Sequence, residues 1–290
     1  MKKETILLSI SLLLFGFMPY ENSAQKHYQQ GMENLKNEDY INAIAEFTHA
    51  ISLEPSFADA YFQRAVSKDL LGQEAGFVST ELCYDLIQAQ MLGNDNSLTM
   101  LLEKSQTECF TTQNAFLEPD MVFCADFSSS RLNEMPSQSA SLSVLLHLNL
   151  YDNNITSIPP VINDYQYLVA LNLASNKLQS INQSLTKLSW LVELNLSKNQ
   201  LSSLSSNLCN FPKLKFMNLR NNNIEAISNE ISNLNSLEVL DLALNNIKDL
   251  PESLYSMTHL KELVLVGNPL DPSKVKELQK ALPNTKVYFN

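Results

Sequence analysis

Leucine stands at Leu145, Leu168, Leu191, Leu214, Leu237 and Leu260, each 23 residues after the last with no insertion between them. A fixed period of that length marks a solenoid, in which one short supersecondary unit is copied and stacked. Within each unit the same frame returns: Leu145, Leu148, Leu150, Asn153, Ile155 and Ile158, then Leu168, Leu171, Leu173, Asn176, Leu178 and Ile181. The alternation through His147 to Tyr151, or Glu193 to Ser197, puts every second side chain on one face of a short strand. One unit cannot bury that face alone, so the units must stack in parallel around a continuous core. Further apolar positions close the convex side: Ile162 and Tyr165, Leu185 and Leu188, Leu208 and Phe211, Ile231 and Leu234, Leu254 and Met257.

The frame reads L-x-x-L-x-L-x-x-N-x-L, and from about residue 122 to its end the chain resembles the leucine-rich repeat family. The resemblance implies an α/β solenoid with a parallel β-sheet on its concave face. Asn153, Asn176, Asn199, Asn222, Asn245 and Asn268 point inward at the bend, where they are expected to hydrogen-bond backbone groups of the neighbouring turn. These asparagines are structural in that reading. The phase extends one unit upstream through Val122, Ala125, Phe127, Leu132 and Met135-Pro136, with Ser130 in place of the Asn, as suits a terminal repeat. At the other end Pro272 opens a short helix through Val275, Leu278 and Leu282, read as a C-terminal cap.

Residues 25–110 carry another pattern. Gly31, Ala43, Phe47, Ala50 and Pro55 fall at the spacing of a tetratricopeptide repeat, and the segment resembles that all-α family, with His27 and Gln30 in place of its early aromatic and Leu. A second copy starts at Ala58, and its second helix (Leu82, Leu86, Ala89) comes late, so Glu74 to Thr80 is expected to be an inserted loop. Residues 97–109 are expected to close the domain as an amphipathic helix, and 111–121 to form a linker. Tyr28, Met32 and Gln63 stand where carboxylate-clamping relatives hold Lys and Asn, so no such clamp is expected. Two repeats are fewer than a free-standing array needs. The helical domain is therefore expected to dock on the leucine-rich array or to bind another segment.

Ahead of it, Lys2 and Lys3 precede an apolar run from Ile6 to Phe17, and Asn22-Ser23-Ala24 supplies small residues before Gln25. This is the layout of a signal peptide over 1–24. The run is too short for the ~20 apolar residues of a spanning helix, so no stable membrane span is expected in the mature chain. We expect export to the periplasm or the exterior of a bacterial cell. Cys83, Cys109, Cys124 and Cys209 are even in number, which permits disulfides in an oxidising compartment. They lack CxxC spacing, and the favoured reading is four small buried hydrophobes.

Composition narrows function. The six glycines form no phosphate-binding loop. The formal net charge of −11 opposes nucleic-acid binding, which needs a basic face. Nucleophile elbows, HExxH helices and EF-hand loops are absent from the sequence, and no metal-ligand spacing involves His27, His49, His147 or His259. No cofactor is expected, nor a catalytic domain after the cap. Glu193, Asp241 and Glu262 would line the concave face, where solvated strand carboxylates are the plain reading and a hydrolase the remote alternative. The expectation is a non-enzymatic module for a protein or peptide partner, with a self-associating envelope component as the alternative. The frame leaves three rows outward on the sheet: Tyr151, Ser197 and Arg220; Asn149, Asn172, Asn195, Asn218 and Asp241; and His147, Ala170, Glu193, Phe216 and Val239. Aromatics and Arg are enriched among interface anchors, so Tyr151, Phe216 and Arg220, flanked by Glu193 and His147, are the candidate partner-binding residues.

Overall fold

The computed structural model describes residues 23–75, 81–104, 110–111, 124–136, 145–181, 185 and 187–289. The chain divides into two compact units, Met1–Lys104 and Ser105–Asn290, a boundary upstream of the expected residue 110. The apolar run of 1–22, Val122, Cys109 and most of the expected linker lie outside the described residues.

The first unit is helical: α1 (Ser23–Lys36), α2 (Tyr40–Leu53), α3 (Ala58–Ala75), α4 (Glu81–Met91) and α5 (Asn96–Lys104), each packed on the next. Asp39 caps α2 by accepting from the Asn42 N–H. The small-residue requirement at Gly31 is steric: a Cβ there would lie 2.6 Å from the Phe47 ring, so α1 crosses α2 where only glycine fits. Leu82, Leu86 and Ala89 are fully buried, as their spacing predicts. The expected loop over Glu74 to Thr80 is corrected in its first part, because Glu74 and Ala75 continue α3; residues 76–80 lie outside the described residues. Asp85 is completely buried between α3 and α4, held by two hydrogen bonds from the Arg64 guanidinium and an ion pair with Lys68 at 3.0 Å. Removing one partner of such a group strands a buried charge.

The second unit is the expected solenoid. Its strands are β1 (Phe110–Thr111), β2 (Cys124–Asp126), β3 (His147–Asn149), β4 (Ala170–Asn172), β5 (Glu193–Asn195), β6 (Ser203–Leu204), β7 (Phe216–Asn218), β8 (Ala226–Ile227), β9 (Val239–Asp241), β10 (Glu262–Val264) and β11 (Lys286–Tyr288). Among the described residues all but β6 and β8 form one parallel nine-stranded sheet, in chain order. The register repeats the 23-residue period residue for residue: Ala125 faces Leu148, then Leu171, Leu194, Met217, Leu240 and Leu263. β1 adds a strand at positions read as the end of the helical domain and the start of a linker, pairing Phe110 with Ala125. The inward leucines and the convex positions from Ile162 to Met257 form one buried cluster, with short 3-10 turns on the convex side. β6 pairs with β8 as a separate two-stranded sheet. Over the last repeat lies α6 (Pro272–Ala281), capped by Asp271, with Val275 and Leu278 buried.

The asparagines bridge successive turns. Asn176 Oδ1 accepts from the Ile155 N–H of the preceding repeat, and its Nδ2 donates to Leu150 O of that repeat and Leu173 O of its own. The same bonds recur at Asn199, Asn222 and Asn245, all buried, and at the half-buried Asn268.

Before each asparagine the backbone is left-handed: Asp152, Ser175, Lys198, Asn221 and Leu244 have φ between 53° and 57°, and Gly267 has φ 74°. Glycine and asparagine tolerate this region, whereas other side chains pay for it. Leu244 is the costliest choice in the series and is 43% exposed. Leu244→Asn is therefore expected to raise unfolding stability by about 0.5–1 kcal/mol, measured by urea denaturation. A loss would mean that Leu244 packing over Gly267 outweighs the backbone strain.

Candidate functional site

Each three-residue strand of the sheet has one inward residue flanked by two outward ones, so stacking writes the outward residues into rows across the concave face. Two of these rows line a groove of about 550 Å³. One runs from Cys124 through His147, Ala170, Glu193 and Phe216 to Val239; the other contains Asn149, Asn172, Asn195, Asn218 and Asp241.

The asparagine row has a local task. The side-chain oxygens of Asn149, Asn172, Asn195, Asn218 and Asp241 accept the backbone N–H two residues on, turning the chain out of the strand. The other groove row varies from repeat to repeat. There Phe216 is 40% exposed and pairs in register with Glu193 on one side and Val239 on the other. Burial raises the Glu193 carboxyl above its usual range. A carboxylate so placed gains most from a partner that brings a hydrogen-bond donor.

Of the predicted site residues, His147, Glu193 and Phe216 come together in the groove. Tyr151 and Arg220 are exposed in the third row, beyond the strand ends, and do not line it. Two positions differ from expectation. Ser197, expected outward between them, is buried with its hydroxyl donating to Asn195 Oδ1 at 2.8 Å. His147 is only 8% exposed, and burial pushes its imidazole down to about 4, so it is neutral at pH 7.

The reading of four small buried cysteines is also corrected, because Cys124 is disulfide-bonded. Cys124 opens the groove-facing row beside His147 and does not belong to the inward leucine layer, so its sulfur is placed to cross-link. Cys109 and the side chain of Cys83 lie outside the described residues. Cys209 is free and buried, and its thiol is pushed up to about 12, chiefly by burial. It is inert as a nucleophile.

Residues 194–281 match the family described as the leucine-rich repeat region. The repeat unit is thus a leucine-rich repeat solenoid, preceded by an all-α domain. Similar solved structures include a leucine-rich repeat protein of Leptospira interrogans, 20% identical, with 59% of this chain covering 62% of that one at a TM-score of 0.32. Internalin C2 of Listeria monocytogenes is 22% identical, with 60% and 84% covered and a TM-score of 0.48. An internalin, inlF, of the same organism is 16% identical, with 62% and 59% covered and a TM-score of 0.48. The chain spans less than two thirds of the first of these. No curated protein matches it.

The buried histidine gives a pH signature. The folded His147 stays neutral down to about 4, whereas the unfolded imidazole takes a proton near 6.5. Between those values the unfolded state binds more protons, so stability is lost as the pH drops, by about 3 kcal/mol at most through this group. Glu193 works in the opposite direction, its raised carboxyl favouring the fold in acid. Denaturation of the wild type and His147→Gln from pH 7 to 4 isolates the histidine: the wild type should lose more stability. Parallel curves would mean that His147 titrates normally.

Proposed function

We propose that this chain is an exported, non-enzymatic adaptor that holds a protein or peptide partner on the concave face of its leucine-rich repeats. The observation that carries the reading is the groove row in which half-exposed Phe216 stands between the desolvated carboxyl of Glu193 and the apolar Val239. An aromatic there serves no core, and interface anchors are enriched in such residues. The partner this chemistry suits brings an apolar side chain to Phe216 and a donor, an amide or a cation, to Glu193. Tyr151 and Arg220, on the neighbouring row, extend the patch beyond the groove, and His147 closes its other end as a neutral imidazole.

The signal-like residues before Gln25 and the Cys124 disulfide, a bond that persists in oxidising compartments, both support export. Among the described residues no helix is long and apolar enough to cross a membrane. Self-association through the C-terminal sheet edge is weakened by Lys286 on β11, since edge lysines discourage strand pairing.

The test is to capture the partner with the full chain from its source cell and then measure affinities. Phe216→Ala is expected to cost about 2 kcal/mol or more, as an anchor does. Losses under about 0.5 kcal/mol in both Phe216→Ala and Arg220→Ala would place the contact elsewhere.

A further inference from the structure

Three side chains with metal-binding chemistry meet on the helical unit. Glu46 and His49 lie three residues apart on α2 and so share one helix face. His27 reaches them from α1, its Nδ1 lying 2.6 Å from Glu46 Oε2 and its ring centroid 5.2 Å from that of His49. One ligand atom from each residue falls within 4.8 Å of the others. Tetrahedral coordination at about 2.0–2.2 Å requires ligand atoms about 3.3 Å apart. The His27–Glu46 pair must therefore open slightly and His49 close by a small side-chain rotation. His49 is exposed and the other two are half-buried, so that rotation disturbs no packed core.

We propose that His27, Glu46 and His49 form a binding site for a borderline divalent transition-metal ion such as Zn2+, with water completing the coordination. Two imidazoles and a carboxylate are the donor set of zinc and its neighbours, whereas hard cations such as Ca2+ and Mg2+ seek all-oxygen shells. The surroundings favour a cation: residues 25–110 hold 13 acidic against 5 basic side chains, a formal charge of −8. Because the ligands come from two helices, the ion clamps α1 to α2 and stabilises that pair by binding only its folded form. The spacing within each helix hides the site, since its third ligand lies 19 residues upstream in sequence. The site is independent of the concave-face reading.

The experiment is calorimetric titration of the untagged full chain with Zn2+ at pH 7.5. The expected result is one ion per chain with a Kd of about 10 µM or tighter. His49→Ala, an exposed change, and Glu46→Gln, an isosteric one, should each weaken binding at least about tenfold with unchanged far-UV circular dichroism. His259→Ala, on the solenoid, should leave the affinity intact. Full binding in His49→Ala would overturn the site, including the case in which His27 chelates the ion with a free amino terminus. So would an affinity weaker than about 100 µM in the wild type.

Discussion

Everything in the repeat unit depends on what happens to the backbone where each short strand ends and the chain bends away. Strands of three residues leave their flanking N–H and C=O groups inside a solenoid that water does not enter, and each unpaired group there would cost about 1–3 kcal/mol. The buried asparagine solves this with one planar amide. Its oxygen takes the N–H of the preceding turn and its nitrogen serves carbonyls of two successive turns, as Asn199 does with Leu178, Leu173 and Leu196. Both partners sit at the same offsets in every repeat, so the same bond network recurs from turn to turn. The uninterrupted 23-residue period and the identical strand register from β2 to β10 keep that geometry in place.

That rigidity makes the concave face usable. Register across the sheet turns a position in the repeat into a line of side chains, and three such lines emerge with distinct tasks. The asparagine line ends the strands, the line through Ser197 is partly taken back into the structure, and the line through His147, Glu193 and Phe216 is free to vary. A scaffold whose bends are satisfied internally can carry a desolvated carboxyl and an exposed aromatic side by side without collapsing around them. Outward positions are thereby decoupled from folding, which is how repeat folds can come to serve many unrelated ligands.

The leucine layer, the convex apolar positions, the asparagine ladder and the capping helix were all legible in the sequence, because each repeats a residue type at a fixed offset. What escaped was whatever repeats a conformation without repeating a residue. Asp152, Ser175, Lys198, Asn221, Leu244 and Gly267 share a left-handed backbone and no common side chain, so a requirement present in every unit is visible only in Gly267 and, more weakly, in Asn221 and Asp152. Ser197 is small enough to turn inward onto Asn195 where Tyr151 and Arg220 cannot, and alternation alone does not distinguish the three. The burial of His147 and the cross-link at Cys124 arise at neighbouring positions of the first strands, which a repeat frame does not distinguish from the same positions further on. In the helical unit the meeting of His27 with Glu46 and His49 depends on how α1 packs on α2, which no linear spacing encodes.

The repeat frame assigns neighbouring residues of one strand and bend to core, solvent and ladder. Equilibrium denaturation of Leu196→Ala, Lys198→Ala and Asn199→Ala tests it within four residues of chain. Leu196 is fully buried, and its truncation is predicted to cost about 2–5 kcal/mol. Asn199→Ala orphans buried backbone groups for about 1–3 kcal/mol, and exposed Lys198→Ala exchanges one ordinary left-handed residue for another with almost no effect. A silent Asn199→Ala, or a Lys198→Ala as costly as the leucine, would contradict the ladder and the frame built on it.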